Sequence, residues 1–179
     1  MVARFRYGAI AAGMLVAALM VGRHDMLARI VAPVSQKCDE YDLGEGRRLK
    51  RDTILSVIRR CSPQKISMLV KERRDEVRFL YHPHLGTPLH AAAKNIVFPD
   101  VMDIVITLNI ALEARDHKGK TALWRAVEGN NTHATEVLID SGAEKNISVG
   151  PYRSLIDYCN EVLSGRPHYE SCLMLRQYE

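Results

Sequence analysis

The strongest constraint on the fold is a short motif that recurs at a fixed spacing. Residues 86–93 read GTPLHAAA, and residues 119–127 read GKTALWRAV. Thr87 and Thr121 are thirty-four residues apart, and Thr53 lies thirty-four residues before Thr87. A period of about 20 to 50 residues is typical of repeat proteins, in which each unit buries its apolar face only against its neighbours. The chain is therefore predicted to form a stack of similar units that share one elongated core.

Local sequence chemistry predicts that each unit is a pair of helices. Thr87 can cap a first helix, and Pro88 is tolerated directly after it because its missing N–H needs no partner there. Thr121 can cap the first helix of the next unit, and Gly142 can supply the left-handed conformation that ends a second helix. Apolar residues at the three- and four-residue spacing of an amphipathic second helix are Val101, Ile104, Val105 and Leu108.

The motif resembles the ankyrin repeat, whose consensus of about thirty-three residues includes Thr-Pro-Leu-His-x-Ala. The resemblance implies an all-α ankyrin-repeat solenoid of about four helix-turn-helix units, at about 52–84, 85–118, 119–150 and 151–179, preceded by an apolar N-terminal helix. It also implies that His90 bonds to backbone atoms near the turn and that Trp124 takes the same position one unit later. The residues that carry the repeat motif are Gly86, Thr87, Pro88, Leu89, His90, Gly119, Thr121, Leu123 and Gly142.

The N-terminus has a membrane-targeting pattern. Arg4 and Arg6 precede an uncharged run of fifteen residues at 8–22. A basic segment followed by an apolar one is typical of a signal peptide or signal anchor, and spanning a bilayer takes roughly 20 residues. We predict that residues 1–34 are a signal anchor or other signal segment with a linker, and that residues 35–179 form the repeat domain. A buried apolar helix of the fold is the alternative.

Four cysteines lie in two pairs near the ends of the predicted domain. Their positions suggest disulfides between Cys38 and Cys61 and between Cys159 and Cys172, each of which would close one end of the domain. Unpaired, buried thiols are the alternative, because free cysteine is among the most buried residue types. Zinc is not predicted, since no CxxC motif or histidine pair at ligand spacing accompanies these cysteines.

Positive charge is concentrated at residues 47–78, where eleven basic residues accompany four acidic ones, whereas the net charge of the whole chain is +4. Such a patch favours an acidic partner or anionic lipid headgroups, with a solvated helix face as the alternative. Nucleic acid is not predicted, because no interleaved aromatic residues or base-reading motif accompany the patch.

No catalytic motif is present in the sequence. The GxSxG and HExxH patterns and the Gly-rich phosphate loop are all absent. His82 and His84 flank a proline, but two imidazoles fall short of the three or four ligands of a credible metal site. We therefore predict a protein that is not an enzyme and has no catalytic residue, cofactor, metal or small-molecule substrate.

Binding to another protein is the function that remains. The resemblance implies contacts through the turns between units and through the first helices. Trp, Tyr and Arg are the residue types enriched at binding hot spots, although packing between units is the alternative for Trp124. The candidate partner-binding residues are Tyr81, His82, His84, Arg115, His117, Lys118, Trp124 and Arg125.

Together these features predict a protein-interaction module in the cell envelope, anchored to the membrane or exported, with its body in the periplasm. A small exported ankyrin protein is similar to bacterial immunity proteins, which neutralise a toxic effector enzyme, for instance by occluding its active site. The alternative is a membrane-anchored scaffold or adaptor with a cytosolic body and reduced cysteines.

Overall fold

The computed structural model describes residues 50–178 and Cys38. The chain divides into residues 1–40 and 41–179, and every helix named below belongs to the second part. The described residues form an all-α fold without a β-strand, which confirms the predicted fold class. The helices are α1 (Arg51–Arg60), α2 (Pro63–Arg78), α3 (Pro88–Ala93), α4 (Val101–Ile106), α5 (Ala122–Glu128), α6 (Thr132–Asp140), α7 (Leu155–Gly165) and α8 (Glu170–Gln177).

These helices form four consecutive pairs, and the pairs stack on one another. The first helices α1, α3 and α5 pack side by side, and the second helices α2, α4, α6 and α8 form a parallel row. Helix α3 lies between α1 and α5, and its residues Ala91, Ala92 and Ala93 are all buried. Small side chains at these positions allow the neighbouring helices to approach closely. Each unit thus buries part of its core against its neighbours and not alone.

The expected N-terminal apolar segment and the boundary after residue 34 lie outside the described residues. Among the described residues, no helix combines the length and the apolar character needed to cross a membrane.

Two threonines cap first helices, as the repeat spacing predicts, and the third does not. Thr87 is the N-cap of α3, and Thr121 is the N-cap of α5, where its Oγ1 accepts the N–H of Trp124 at 3.3 Å. Thr53 lies inside α1, whose N-cap is Lys50, so the prediction that it opens a hairpin is wrong. In the fourth unit Ser154 caps α7, thirty-three residues after Thr121.

The predicted apolar face of α4 is largely the buried one. Val101, Val105 and Leu108 are fully buried, whereas Ile104 is half-buried and Met102 is buried in addition. Helix α4 contacts both neighbouring second helices, α2 and α6. The three- and four-residue spacing therefore found the correct side of the helix.

A ladder of asparagine side chains links each unit to the one before it. Asn95 Nδ2 donates to the carbonyl oxygen of Ile58 at 2.9 Å, and Asn131 Nδ2 donates to that of Ala93 at 3.2 Å. In the fourth unit the Tyr169 hydroxyl takes this role and donates to the carbonyl oxygen of Glu128 at 2.6 Å. Each bond satisfies a carbonyl at or near the end of a first helix, where no intrahelical partner remains.

Gly142 ends α6 in the left-handed conformation, with φ of +88°. The N–H of Gly142 bonds to the carbonyl of Ile139, and the N–H of Ala143 bonds to that of Leu138. This pair of bonds is the Schellman motif, which commonly requires a residue with positive φ after the helix.

The last unit is closed covalently, because a disulfide joins Cys159 of α7 to Cys172 of α8. Cys38 and Cys61 are also each disulfide-bonded, and no described cysteine is free. The Cys159–Cys172 disulfide closes a loop with a sequence separation of 13 residues. Closing this loop restricts the unfolded chain and stabilises the fold by about 3 kcal/mol in the chain-entropy account.

Candidate functional site

The turn before the second unit is built around His82. Its backbone pairs with that of Gly86, which has φ of +80°, and its Nδ1 accepts the N–H groups of His84 and Leu85, each at 3.2 Å. The imidazole therefore replaces a backbone acceptor in a tight turn, much as an aspartate does.

The turn before the third unit uses Asp116 at the same place, thirty-four residues after His82. Asp116 Oδ1 accepts the N–H groups of Lys118 at 2.9 Å and Lys120 at 3.2 Å, and Gly119 has φ of +71°. In both turns one side chain accepts two backbone N–H groups, but the acceptor differs, and the glycine with positive φ lies four residues after His82 and three residues after Asp116.

Asp116 also anchors the third turn to α5 through a buried ion pair. Its Oδ2 accepts from Arg125 Nε at 2.7 Å and also from Nη2, and the Asp116 side chain is fully buried. Arg125 Nη1 binds Glu128 at 2.8 Å, and Glu128 also accepts from Lys120. Burial alone would raise the pKa of Asp116, but the hydrogen bonds from Arg125, Lys118 and Lys120 outweigh it, so the pKa lies below its ordinary 3.8.

His90 joins the second unit to the third. Its Nε2 lies 2.9 Å from the carbonyl oxygen of Lys120, which can only accept, so Nε2 carries the hydrogen. Nδ1 then accepts the N–H of Thr87 at 3.1 Å and completes a capping box. Burial lowers the pKa of His90, which keeps the ring neutral near pH 7. The backbone bonding that the resemblance implied is therefore present.

Trp124, thirty-four residues after His90, does not repeat this arrangement. Its ring lies 5.7 Å from that of Tyr158 and 6.2 Å from that of Tyr152, both of the fourth unit. Its Nε1 is buried and has no hydrogen-bond partner among the described residues. At this position the third and fourth units are joined by aromatic contacts, which add to hydrogen bonds such as that from Tyr169 to Glu128. At the equivalent position of the second unit His90 instead forms a hydrogen bond to the third unit.

Burial requires a correction to the predicted partner-binding residues. Trp124 is 2% exposed and Arg125 is 6% exposed, so neither side chain presents a surface to a partner. Trp124 packs against the next unit and Arg125 is held by Asp116 and Glu128, and both contacts lie within the repeat stack. Packing between units, the alternative that the sequence offered for Trp124, is therefore present, whereas the ion pair of Arg125 with Asp116 was not predicted.

The other predicted contact residues gather at the tips of the two turns. The ring of His84 lies 5.9 Å from that of His82 and 5.8 Å from that of His117. The Tyr81 hydroxyl donates to the carbonyl of Arg115 at 3.3 Å. We call Tyr81, His82, His84, Arg115, His117 and Lys118 the tip surface, and all except the half-buried His82 are exposed.

Arg115 extends the tip surface towards the fourth unit. Its Nη1 donates to the carbonyl oxygen of Gly119 at 3.3 Å and to that of Ser148 at 3.2 Å. These bonds hold the turns in fixed relation, so that a partner would meet a largely preformed surface.

A second surface feature lies between α1 and α3 and was not anticipated. This first-helix cleft has a volume of about 110 Å³ and is lined by residues that include Leu55, Arg59, Arg60, Leu85, Ala91 and Lys94. Burial, followed by the charges of Arg125 and Arg59, lowers the pKa of Lys94. The sequence did contain a periodic signal, because Arg60 and Lys94 are thirty-four residues apart, at the ends of consecutive first helices.

One group of three side chains near the second helices lies close enough together to bind a metal ion. Asp100, Asp103 and His133 each bring one potential ligand atom within 4.8 Å of the others, and His133 Nε2 is 2.7 Å from Asp103 Oδ2. The two aspartates are exposed, and the pair of His133 with Asp103 accounts for their proximity without a metal.

The described geometry is that of a repeat protein, a stack of helix pairs whose turns and first helices present rigid surfaces. Residues 65–149 match the family model described as ankyrin repeats in three copies. It is also similar to a chain in the solved complex described as the Bd0816 predatory endopeptidase from Bdellovibrio bacteriovorus with the immunity protein Bd3460. That match has a TM-score of 0.52 and 22% identity, and it covers 72% of this chain and 64% of the other, which supports the shared fold.

Proposed function

We propose that this chain is an immunity protein of the cell envelope that binds a toxic effector enzyme and blocks its active site. The observation that carries the proposal is the tip surface, where exposed imidazole, phenol and guanidinium groups from consecutive units form one rigid patch. Aromatic and arginine side chains are enriched at protein-binding hot spots. Because the turns are fixed by internal hydrogen bonds, binding would cost little ordering entropy.

The nature of the partner is suggested by the structural comparison. The similar chain comes from a complex in which a predatory endopeptidase is bound by an immunity protein. We transfer to this chain only the general role, which is to bind an enzyme and restrain it. A non-enzymatic module would restrain the partner by occupying the entrance of its active site.

The periplasm is our proposal for the location of the repeat domain. The disulfide between Cys159 and Cys172, together with the disulfide-bonded state of Cys38 and Cys61, supports an oxidising compartment, since structural disulfides are rare in the cytosol. Thiol alkylation in intact cells without reductant tests this directly. Absence of labelling supports the periplasm, and labelling of all four cysteines would instead favour a cytosolic scaffold.

The binding proposal is tested with the full chain as bait in envelope extracts. We expect one dominant protein to be retained, and the double variant His84→Ala/His117→Ala to weaken retention by about tenfold because it removes exposed rings at the tip. The matched control is His168→Ala, which removes an exposed imidazole from the fourth unit.

The inhibition proposal is tested on the retained protein after purification. Its hydrolytic activity should fall in proportion to the amount of chain added until the two are equimolar. Retention of no protein contradicts the binding role, and a retained enzyme whose activity is unchanged by the chain contradicts the immunity role.

A further inference from the structure

The first-helix cleft contains positive charge that the described part of the chain does not neutralise. Its lining residues include three cations, Arg59, Arg60 and Lys94, and no acid. Within residues 50–178 none of the three forms an ion pair or a side-chain hydrogen bond. Lys94 is half-buried, and its burial together with the charges of Arg125 and Arg59 outweighs the attraction of Asp116 and Glu128, so its pKa is lowered.

The next unit shows how the same chain neutralises cations at the equivalent position. Glu128 lies thirty-four residues after Lys94 and accepts from Lys120 at 2.5 Å and from Arg125 at 2.8 Å. In the third unit the acid is therefore part of the chain. In the second unit a lysine occupies the place of that acid, and the neighbouring arginines face it.

We propose that the first-helix cleft receives the carboxylate of an aspartate or glutamate side chain from the protein partner. This inference rests on the proposed binding function and specifies the chemistry of the partner. The cleft volume of about 110 Å³ leaves room for one acidic side chain among these cations. Leu55, Leu85 and Ala91 provide apolar contacts for its methylene groups, and an arginine can hold a carboxylate with two parallel hydrogen bonds.

The test uses a defined probe and the full chain. Two capped, fluorescently labelled peptides of equal length, one with three glutamates and one with three glutamines, are titrated by fluorescence anisotropy. The cleft variant is Arg59→Gln/Lys94→Gln. The control variant Lys71→Gln/Arg153→Gln removes the same charge from two exposed positions outside the cleft lining. Inorganic phosphate is titrated separately to distinguish a carboxylate site from a general anion site.

We expect the glutamate peptide to bind the wild-type chain and the glutamine peptide not to bind. The cleft variant should weaken binding by roughly tenfold to a hundredfold, which corresponds to the loss of charge-assisted hydrogen bonds, and the control variant by less than about twofold. Equal losses in the two variants would show a diffuse charge effect and overturn the proposal. Binding of phosphate without binding of the glutamate peptide would also overturn it.

The failure of this inference is separable from failure of the proposed function. If a retained enzyme binds the cleft variant as tightly as the wild-type chain, the cleft assignment is wrong and the binding role stands. If no enzyme is retained but the glutamate peptide binds in the cleft, the immunity role is wrong and the cleft chemistry stands.

Discussion

The second and third units share one sequence period but are held together by different chemistry. In the second unit the ring of His90 closes a capping box and bonds to the backbone of the third unit, and no ion pair is involved. In the third unit Trp124 stands at that position, and the turn is secured by the buried pair of Asp116 and Arg125. The comparison teaches that one helix-pair geometry can be stabilised either by neutral hydrogen bonds or by aromatic packing combined with a buried ion pair.

The largest expected effect comes from breaking the ion pair of the third unit. Asp116→Ala should lower the free energy of unfolding by about 3 to 5 kcal/mol, because it removes the fully buried partner of the Arg125 guanidinium and leaves only its contact with the partly exposed Glu128. Urea unfolding followed by circular dichroism measures the change. Glu128→Gln is the control, because this carboxylate is about one third exposed and its loss should cost less than about 1 kcal/mol. Equal losses would show that the buried pair does not distinguish the third unit.

The next largest effect is expected when Trp124 of the third unit is replaced by histidine, the residue at the equivalent position of the second unit. Trp124→His should destabilise the protein by about 2 to 3 kcal/mol, because the smaller ring leaves a cavity beside Tyr152 and Tyr158. Thermal unfolding of the variant and of Tyr152→Phe, which keeps the aromatic ring, provides the measurement and its control. Unchanged stability in Trp124→His would mean that a histidine serves equally well in both units.

The two turn glycines provide a matched pair of smaller effects. At Gly86 an added Cβ would lie 2.8 Å from Cγ of His90, whereas at Gly119 nothing lies within 4 Å of it. Gly86→Ala should therefore cost about 2 to 3 kcal/mol, and Gly119→Ala about 1 kcal/mol from its positive φ alone. Urea midpoints of the two variants compare them directly. A larger loss for Gly119→Ala would contradict the close packing assigned to His90.

The smallest effect is a dependence of stability on pH that belongs to the second unit. Because burial lowers the pKa of His90 below 6.5, the unfolded chain binds a proton there before the folded chain does. Stability due to this residue is thus complete above pH 6.5 and declines as the pH falls towards the lower, folded-state pKa.

The variant His90→Gln isolates this dependence. Urea midpoints between about pH 7.5 and about pH 5 should fall less steeply in the variant than in the wild-type chain. His168→Ala, which changes an exposed ring, serves as the control and should keep the wild-type slope. Identical slopes in His90→Gln and the wild-type chain would contradict a neutral, buried imidazole at the joint between the two units.

Local chemistry explains which parts of this structure could be predicted. Thr87, Thr121 and Gly142 act on their own helix ends, so their roles follow from a few neighbouring residues. Thr53 has the correct spacing, but α1 begins before it, at Arg51 with Lys50 as the N-cap, so spacing alone misplaced the start of this helix.

The site was harder to predict, because its features depend on contacts between units. Trp124 packs against Tyr152 and Tyr158 of the fourth unit, and Lys94 lies beside Arg59 and Arg60 because α1 packs against α3. Neither relation is encoded in the residue types themselves. The tip residues, in contrast, lie in turns that the repeat already located.

The asparagine ladder gives the stack a direction of growth. Each connecting side chain, from Asn95 and Asn131 to Tyr169, belongs to the later unit and reaches back to the earlier one. A unit appended at the C-terminal end would thus supply its own hydrogen-bond donor, and the units already present would need only a backbone carbonyl as the acceptor. Duplication in that direction could lengthen such a protein stepwise, whereas an insertion before the first unit would need a new donor within the old sequence.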